Sequence, residues 1–150
     1  MDMINWRIKR FDELNSMELY KILQLRINIF MLEQNCLYPE CDDKDFHAKH
    51  LFGMDENEII AYARLLPPGV SYPDASIGRV IITTKYRGQK IGYQLMNKAI
   101  EGIHSEFTPI DIRISAQAHL QKFYENLGFN CVSEPYLEDD IPHIEMLLKA

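Results

Sequence analysis

Residues 76–92 read SIGRVIITTKYRGQKIG, and the arrangement of the whole chain follows from this stretch. Its first half is rich in β-branched side chains, which favours a buried strand over residues 76–83. From Ile91 to Ile103 apolar residues recur at helical spacing, which predicts an amphipathic helix. The stretch therefore predicts a strand that passes through a short turn directly into a helix.

The turn has the features of an anion-binding site. The first amides of a helix have no partner within it, and the helix dipole places partial positive charge there. Gly88 and Gly92 would let a phosphate approach the backbone, and Arg87 and Lys90 would add positive charge. An ordinary turn can contain the same glycines, so both interpretations stay open. The turn has neither the Gly-Lys-Ser/Thr ending of a P-loop nor the Gly-x-Gly-x-x-Gly of a dinucleotide fold.

Length and charge limit the class of protein. A chain of 150 residues with 47% hydrophobic residues predicts one domain over residues 1–150. No apolar run is long enough to span a membrane and the N-terminus is unlike a signal peptide, so we expect a cytoplasmic protein without a membrane partner. The net charge of -6 argues against nucleic acid as a partner and favours a cationic or amine-bearing one.

Cysteine and histidine content gives no sign of a metal site. Cys36, Cys41, His47 and His50 lie close together in the sequence, but their spacing fits neither the Cys pair nor the His pair of a zinc site. We therefore expect no bound metal. An odd number of cysteines, three in all, also argues against a disulfide framework.

The first half of the chain predicts a strand, a helix and a hairpin. A strand with one buried face is predicted around Trp6 and Ile8, and Asn15 offers an N-cap for the helix that follows. Strand patterns at residues 50–54 and 59–66 predict the hairpin.

Arg26 lies on the apolar stripe of that first helix. Its stem could pack on the core while its head reaches solvent, or its cation could turn into a binding pocket, and the sequence leaves both open. Further on, residues 40–45 form an acidic loop, which is typical of a solvated surface.

The second half of the chain predicts a crossover. Strand, helix and strand follow one another, so the strand at residues 110–116 is expected to pair in parallel with the strand at residues 76–83. The remaining elements are a helix over residues 120–127 ended by Gly128, closing strands at residues 129–132 and 143–148, and an acidic loop at residues 134–142 between them.

Two motifs in this order resemble those of the GNAT acetyltransferases. The turn resembles the family's Arg/Gln-x-x-Gly-x-Gly/Ala pyrophosphate loop, with Lys90 where the middle glycine is usual. The segment FYENLGF, residues 123–129, resembles the family's Tyr-x-x-x-Gly-Phe motif. Shorter segments resemble the ElaA-type branch of the family, namely LR at 25–26, EQNC at 33–36, GRV at 78–80, AQAHLQ at 116–121 and DIPHI at 140–144.

The resemblance implies an α/β (α+β) GNAT fold. In that fold a mixed, mostly antiparallel central sheet has a parallel pair that splays at the acyl-CoA site, and helices cover both faces. The implied cosubstrate is acetyl-CoA. The residues expected to bind it are Val80, Ile81, Ile82, Arg87, Gly88, Gln89, Lys90, Ile91, Gly92 and Gln117.

The same resemblance implies roles in catalysis. Tyr124 matches the residue that protonates the departing CoA thiolate, although an aromatic on a helix face is also an ordinary core residue. An amine with a pKa of about 10.4 must lose a proton before it attacks, and a carboxylate or histidine could accept it. The candidates are Glu33, His50, His119 and His143, of which Glu33 or His143 is the expected base. The residues expected to contact the acceptor are Arg26, Arg79 and His119.

These motifs imply an acyl-CoA-dependent N-acyltransferase that acts on a small-molecule or peptide amine. The alternative is a non-catalytic module that binds or senses acyl-CoA, and acyl-chain length and a homodimer stay open. The acidic loops at residues 40–45 and 134–140 are expected to flank the acceptor entrance, which favours a cationic amine.

Overall fold

The computed structural model describes residues 4–34, 39–107 and 110–150. Within these ranges, eight strands form one sheet in the order β1-β2-β3-β4-β5-β8-β6, and β7 pairs with β8. The strands are β1 (Asn5–Arg10), β2 (Lys49–Asp55), β3 (Glu58–Leu66), β4 (Ala75–Ile82), β5 (Ile112–Gln117), β6 (Asn130–Cys131), β7 (Tyr136–Glu138) and β8 (Ile141–Leu148). The α-helices are α1 (Ser16–Arg26), α2 (Ile91–Glu106) and α3 (Gln121–Glu125).

One pair of neighbouring strands is parallel. β4 and β5 pair through Ala75 with Ile112 and Ser76 with Arg113, at the start of both strands, and α2 forms the crossover between them. The other pairings in the described sheet are antiparallel. The predicted mixed, mostly antiparallel sheet with one parallel pair is therefore confirmed.

Helices cover both faces of the sheet. On one face, α2 and α3 pack on the larger core, to which Leu51, Ala63 and Ile114 contribute from the strands. On the other face, Ile22 of α1 joins Phe52 and other residues in a smaller core. Neighbouring residues such as Leu51 and Phe52 serve opposite cores because side chains alternate along a strand. No helix in the described ranges is both long and apolar enough to cross a bilayer.

The first helix begins as predicted and then changes its geometry. The side chain of Asn15 accepts a hydrogen bond from the Glu18 amide (2.8 Å), and Glu18 accepts one from the Asn15 amide (3.0 Å), which makes a capping box. Beyond Arg26 the chain continues as a π-helical segment, Ile27–Glu33. There the Gln34 amide donates to the Ile29 carbonyl, five residues back, at 3.0 Å.

Two sequence predictions were wrong. Ile8 is 41% exposed although its Cδ1 lies beside Gly102 of α2, because β1 is the edge strand and is covered on one side only. The loop predicted at residues 134–142 contains β7, which forms a hairpin with β8. Asp139 (φ 52°) and Asp140 (φ 63°) make the two-residue turn of that hairpin, a conformation that aspartate tolerates better than most residues.

Candidate active site

A cleft of about 620 Å³ lies between β4 and β5, beyond the point where the two strands pair. Its walls come from the π-helical segment, from Gly78, Arg79 and Val80 of β4, from β5, from α3 and from the β7–β8 hairpin. Eight of the predicted site residues line this one cleft: Glu33, Arg79, Val80, Arg87, Gln117, His119, Tyr124 and His143.

The cleft opens where β4 is irregular. The register between β3 and β4 shifts between Tyr62 and Arg64, and Arg79 opposite this shift has a φ of 51°. Such a bulge bends a strand and redirects its side chains. Arg79 donates from Nε to Glu40 Oε2 (3.0 Å), and its guanidinium lies over the Phe30 ring, 5.6 Å from the centroid. The predicted acceptor-side residue Arg79 is therefore held at the cleft wall.

The turn before α2 has the backbone expected of an anion site. Gly88 (φ 83°) and Lys90 (φ 62°) are both left-handed, and Lys90 is the N-cap residue of α2. The Gln94 amide donates to the Lys90 carbonyl at 3.4 Å, which is the first hydrogen bond of α2 between residues four apart. The amides of residues 91–93 come before this bond, at the N-terminus of the helix. A left-handed residue at position 90 explains why the family usually has glycine there.

Gly92 has a packing role in addition to the predicted one, which stays a prediction. Its φ is not left-handed, and a Cβ added there would lie 3.3 Å from the Phe123 ring. The missing side chain therefore makes room for an aromatic ring of α3. At position 88, by contrast, a side chain would find open space, and it is the left-handed backbone conformation that favours glycine.

Arg87 connects the end of β4 to the first helix. Its Nε donates to the Ile82 carbonyl (2.9 Å) and its Nη1 to Glu33 Oε1 (3.0 Å). The side chain of Ile81 is buried in the smaller core, and that of Ile82 packs against the larger core. Of these three residues expected to bind the cosubstrate, Val80 is the one that lines the cleft, and a role for the backbone of Ile81 and Ile82 stays a prediction.

Tyr124 lies at the base of the cleft with its ring among other aromatics. It is 6% exposed and packs edge-on against Phe123 and Phe129, with ring centroids 5.0 and 6.0 Å away. Its hydroxyl has no hydrogen-bond partner in the described parts of the chain. Burial raises the pKa of Tyr124 to about 12, so the phenol keeps its proton at neutral pH.

A second group of polar side chains surrounds His143. Its Nδ1 lies 2.7 Å from the Ile141 carbonyl oxygen, and its Nε2 lies 3.6 Å from Glu138 Oε2. The Tyr136 ring is stacked on the imidazole, with an angle of 25° between the planes. Ser115 Oγ joins Tyr136 Oη (2.6 Å) to Glu138 Oε1 (3.0 Å). Tyr136 and Glu138 belong to the acidic loop expected at the acceptor entrance, but no individual role was predicted for them or for Ser115. The alternation of polar and apolar residues in β5 was the one signal for Ser115.

Gln117 and His119 complete the described wall. Gln117 lies beside His143 in the sheet register, and its Nε2 donates to Gln34 Oε1 at 3.3 Å. His119 is exposed at the rim. The Gln117 side chain thus links β5 to Gln34, directly after the π-helical segment.

Arg26 does not reach the cleft. It is fully buried, donates from Nε to Glu40 Oε2 (2.5 Å) and from Nη1 to Asp45 Oδ1 (2.8 Å), and shares Asp45 with Arg64. We call these four residues the arginine cluster. Neither interpretation of Arg26 is correct, because its head reaches neither solvent nor the pocket.

The arginine cluster also changes the meaning of the first acidic loop. Glu40 and Asp45 are 5% and 7% exposed, so residues 40–45 are not a solvated acidic surface. Burial alone would raise the pKa of Asp45, but the hydrogen bonds and charges of Arg26 and Arg64 outweigh it and lower the pKa. Of the two acidic loops, the second supplies carboxylates to the cleft lining, Glu138 and Asp139.

The described residues contain no group of three or more His, Cys, Asp and Glu side chains arranged to hold a metal. Cys36 lies outside the described residues. His50 donates from Nε2 to the Asp45 carbonyl (3.0 Å), and its Nδ1 accepts from the Tyr62 hydroxyl (2.6 Å). The absence of a metal stays a prediction.

Comparison with known proteins gives matches over nearly the whole chain. The model of the acetyltransferase (GNAT) domain matches residues 30–150. ElaA of Escherichia coli is 42% identical over 146 residues, which cover 96% of this chain and 95% of ElaA. The crystal structure of E. coli ElaA has a TM-score of 0.93 at 40% identity and covers 98% of this chain and 100% of that one.

A crystal structure described as an acyl-CoA N-acyltransferase from Pseudomonas aeruginosa matches equally well. Its TM-score is 0.93 at 40% identity, with 97% of this chain and 99% of that chain covered. The predicted resemblance to the ElaA-type branch is confirmed. The sheet with its parallel pair, together with these matches, shows that the chain belongs to the GNAT acetyltransferase family.

Proposed function

We propose that this protein is an acyl-CoA-dependent N-acyltransferase that moves an acetyl group from acetyl-CoA to a primary amine by direct attack. The observation that carries the proposal is Tyr124, a largely buried residue that lines a cleft between two splayed parallel strands. Its protonated hydroxyl has no hydrogen-bond partner in the described chain. Family membership and the relative described as an acyl-CoA N-acyltransferase support it.

The donor would lie along β4 with its pyrophosphate at the turn. The amides of residues 88–92 and the N-terminus of α2 offer hydrogen bonds and partial positive charge to a phosphate. Arg87 and Lys90 are exposed there and add full charges, while Gln89 and Ile91 contribute backbone groups. The pantetheine arm would bond to the backbone of Val80, Ile81 and Ile82, as an added strand would, with Gln117 opposite.

The residues around the cleft can supply each proton transfer. Glu33 or His143 takes a proton from the amine, whose nitrogen then attacks the thioester carbonyl. A backbone amide near Ile82 stabilises the oxygen that gains negative charge. Tyr124 gives its proton to the sulfur as the carbon–sulfur bond breaks, and recovers one from the new amide nitrogen through solvent. Arg79 and His119 lie where they can orient the acceptor.

The experiment is thiol release from acetyl-CoA with a panel of primary amines, followed with a thiol reagent. Amine-dependent release is the expected result, and acyl-CoA esters of increasing length tested in the same way define the acyl pocket. Calorimetry with acetyl-CoA provides the control. Binding of acetyl-CoA without release for any amine would instead support the module that binds or senses acyl-CoA.

A further inference from the structure

The cleft passes through the sheet, with different chemistry on its two sides. Tyr124 belongs to the core under α2 and α3. In β8, Ile144 and Met146 belong to the same core, so His143 between Pro142 and Ile144 faces the opposite side. On that side lie Glu138 and Ser115, which are hydrogen-bonded to each other. The thioester and the amine would therefore meet from opposite sides of the sheet.

The hydrogen bond at Nδ1 decides which nitrogen of His143 is basic. A carbonyl oxygen can only accept, so the 2.7 Å contact with Ile141 requires a proton on Nδ1. In the neutral ring Nε2 then has a free lone pair. His143 is 7% exposed and lines the cleft, and its Nε2 has the Glu138 carboxylate at 3.6 Å as its nearest charged group. The only proton-accepting atom of the ring therefore faces the cleft.

Glu138 is placed to hold a cation in front of that nitrogen. Its Oε1 accepts a hydrogen bond from Ser115 (3.0 Å), and Ser115 is fixed in turn by Tyr136 (2.6 Å). Its Oε2 lies on the side of His143, and the Glu138 side chain is 48% exposed. The carboxylate is thus oriented by the protein and still open to a ligand.

The other candidate base is already engaged. Glu33 Oε1 accepts a charged hydrogen bond from Arg87 Nη1 at 3.0 Å, and Arg87 also bonds to the Ile82 carbonyl. A carboxylate that neutralises the arginine of the phosphate turn is poorly placed to accept a proton as well. Of the two expected bases, Glu33 and His143, this favours His143.

Building on the proposed acyl transfer, we propose that Glu138 and His143 form the acceptor subsite and that the acceptor is an alkyl primary amine that arrives as its ammonium ion. Glu138 pairs with R–NH₃⁺, and His143 Nε2 takes one proton to give R–NH₂. The nitrogen lone pair forms the bond to the acyl carbon, and the bond to sulfur breaks. The second proton lost by nitrogen balances the one gained by sulfur, and the imidazolium returns its proton to solvent.

The first test needs no turnover. Nitrogen NMR of the His143 ring reports the tautomer. Titration with n-butylammonium and with n-butanol, which are similar in size, distinguishes a response to the charge of the ligand from a response to its shape. We expect Nδ1 to be protonated, the ring signals to respond to n-butylammonium, and the response to n-butanol to be much weaker. Glu138→Gln should abolish most of the ammonium response, because it keeps the bond with Ser115 and removes the charge.

Asp140→Asn is the matched control. It removes one charge from the same hairpin, but Asp140 is not part of the cleft lining, so its effect should be smaller than that of Glu138→Gln. A ring protonated on Nε2 alone, an equal response to n-butanol, or an unchanged response in Glu138→Gln would each overturn the proposal.

The kinetic test uses n-butylamine as acceptor and His143→Asn, whose amide can still donate to the Ile141 carbonyl. We expect a loss of about 10²–10⁴-fold in kcat at neutral pH. Activity should return as the pH approaches the amine pKa of about 10.4, where the free amine needs no base. The groups facing His143 are Gln117 of β5 and Tyr136 and Glu138 of β7. The other charged side chains that line the cleft are those of Glu33, Arg79, Arg87 and Asp139.

The outcomes separate this proposal from the proposed function. Absence of thiol release with every amine contradicts acyl transfer, while the tautomer and the ammonium response still test the subsite. Thiol release that is unchanged in both His143→Asn and Glu138→Gln contradicts the subsite while acyl transfer stands.

Discussion

Two histidines in this protein are almost equally buried and have opposite environments. His50, 1% exposed, has both ring nitrogens in hydrogen bonds, to the Tyr62 hydroxyl and the Asp45 carbonyl. His143, 7% exposed, has one nitrogen bonded to the backbone and the other facing the cleft. The first histidine adjoins the arginine cluster, and the second belongs to the candidate active site.

The same contrast holds for the two regions as a whole. In the arginine cluster every charged group has an opposite charge within 3.1 Å, although Glu40 Oε1 and Arg64 Nε lack a further partner in the described chain. In the cleft, Tyr124 is as deeply buried and has no partner at all among the described residues. Because Tyr124 lines the cleft and its hydroxyl makes no hydrogen bond to the described chain, the hydroxyl is available to a ligand there. We therefore assign the cluster a structural role and propose the cleft as the catalytic site.

The largest expected effect is on the stability of the cluster. Arg26→Met keeps most of the volume but removes one of two arginine partners from each carboxylate. Glu40 keeps Arg79 and Asp45 keeps Arg64. Removing one partner of a buried ion pair typically costs about 3–5 kcal/mol, so we expect the free energy of unfolding to fall by that order. Urea denaturation measures it. Arg10→Met, at an exposed pair with Asp12, is the control and should change stability by less than about 1 kcal/mol.

The pH dependence of the free energy of unfolding tests the role of Asp45 in the arginine cluster. The pKa of Asp45 is lowered in the folded protein, so its contribution to stability is present above the unfolded value near 3.8 and is lost as the pH falls further. Arg26→Met removes the main interaction that lowers the pKa of Asp45. The free energy of unfolding should therefore fall less steeply as the pH decreases than it does in the wild type. An unchanged acid profile would show that the cluster does not hold Asp45 ionised.

The difference between the regions also explains what the sequence could and could not predict. The N-cap at Asn15 and the helix end at Gly128 were correct because they depend on a few neighbouring residues. The arginine cluster was missed because Arg26 meets partners 14 and 19 positions away, and no local pattern records such pairings. The burial of Glu40 and Asp45 follows from those contacts, so an acidic run was mistaken for a solvated loop.

In the candidate site, motifs located residues but not their surroundings. The Tyr-x-x-x-Gly-Phe pattern indicated Tyr124, whereas the missing partner of its hydroxyl is visible only in the structure. Glu138 was hidden because β7 is short and its hairpin turn consists of two aspartates, which normally indicate a loop. Without that hairpin, nothing in the sequence brings Glu138 to His143.

The second prediction concerns Tyr124. Tyr124→Phe keeps the ring and its aromatic contacts, and the hydroxyl has no partner to lose, so urea denaturation should show almost unchanged stability. Because a thiol leaves readily, we expect kcat to fall by about 10²-fold, the lower end of the range for a positioned acid. The affinity for acetyl-CoA, measured by calorimetry, should stay the same. Full kcat under conditions where chemistry limits turnover would make Tyr124 a packing residue.

The third prediction concerns the turn before α2. Gly92→Glu places a negative charge where the phosphate is expected, and the affinity for CoA should fall by about tenfold, equivalent to one charge-assisted hydrogen bond of about 1.5 kcal/mol. Gly92→Ala is the necessary control, because any Cβ there presses on the Phe123 ring at 3.3 Å. Equal losses in the two variants by calorimetry would mean that packing, not phosphate binding, requires the glycine.

The smallest effect is expected from the two acidic loops. Asp43 (φ 65°) and Asp139 (φ 52°) are both exposed and left-handed, so asparagine fits either position without added strain. The first loop adjoins arginines that neutralise its buried carboxylates, whereas Asp139 lines the cleft. With n-butylamine as acceptor, Asp139→Asn should lower kcat/KM by about threefold, since one charge supplies only part of a steering field worth about tenfold or more.

Asp43→Asn should have a smaller effect, and added salt should reduce the difference because it screens exposed charges. Hydroxylamine, which is uncharged at neutral pH, should be insensitive to both substitutions and to salt. If the two variants lose kcat/KM equally, or if hydroxylamine shows the same salt dependence as n-butylamine, then the field at the cleft does not select a cation. In that case the protein would recognise the ammonium group of the acceptor through direct contact with Glu138 alone, without long-range attraction.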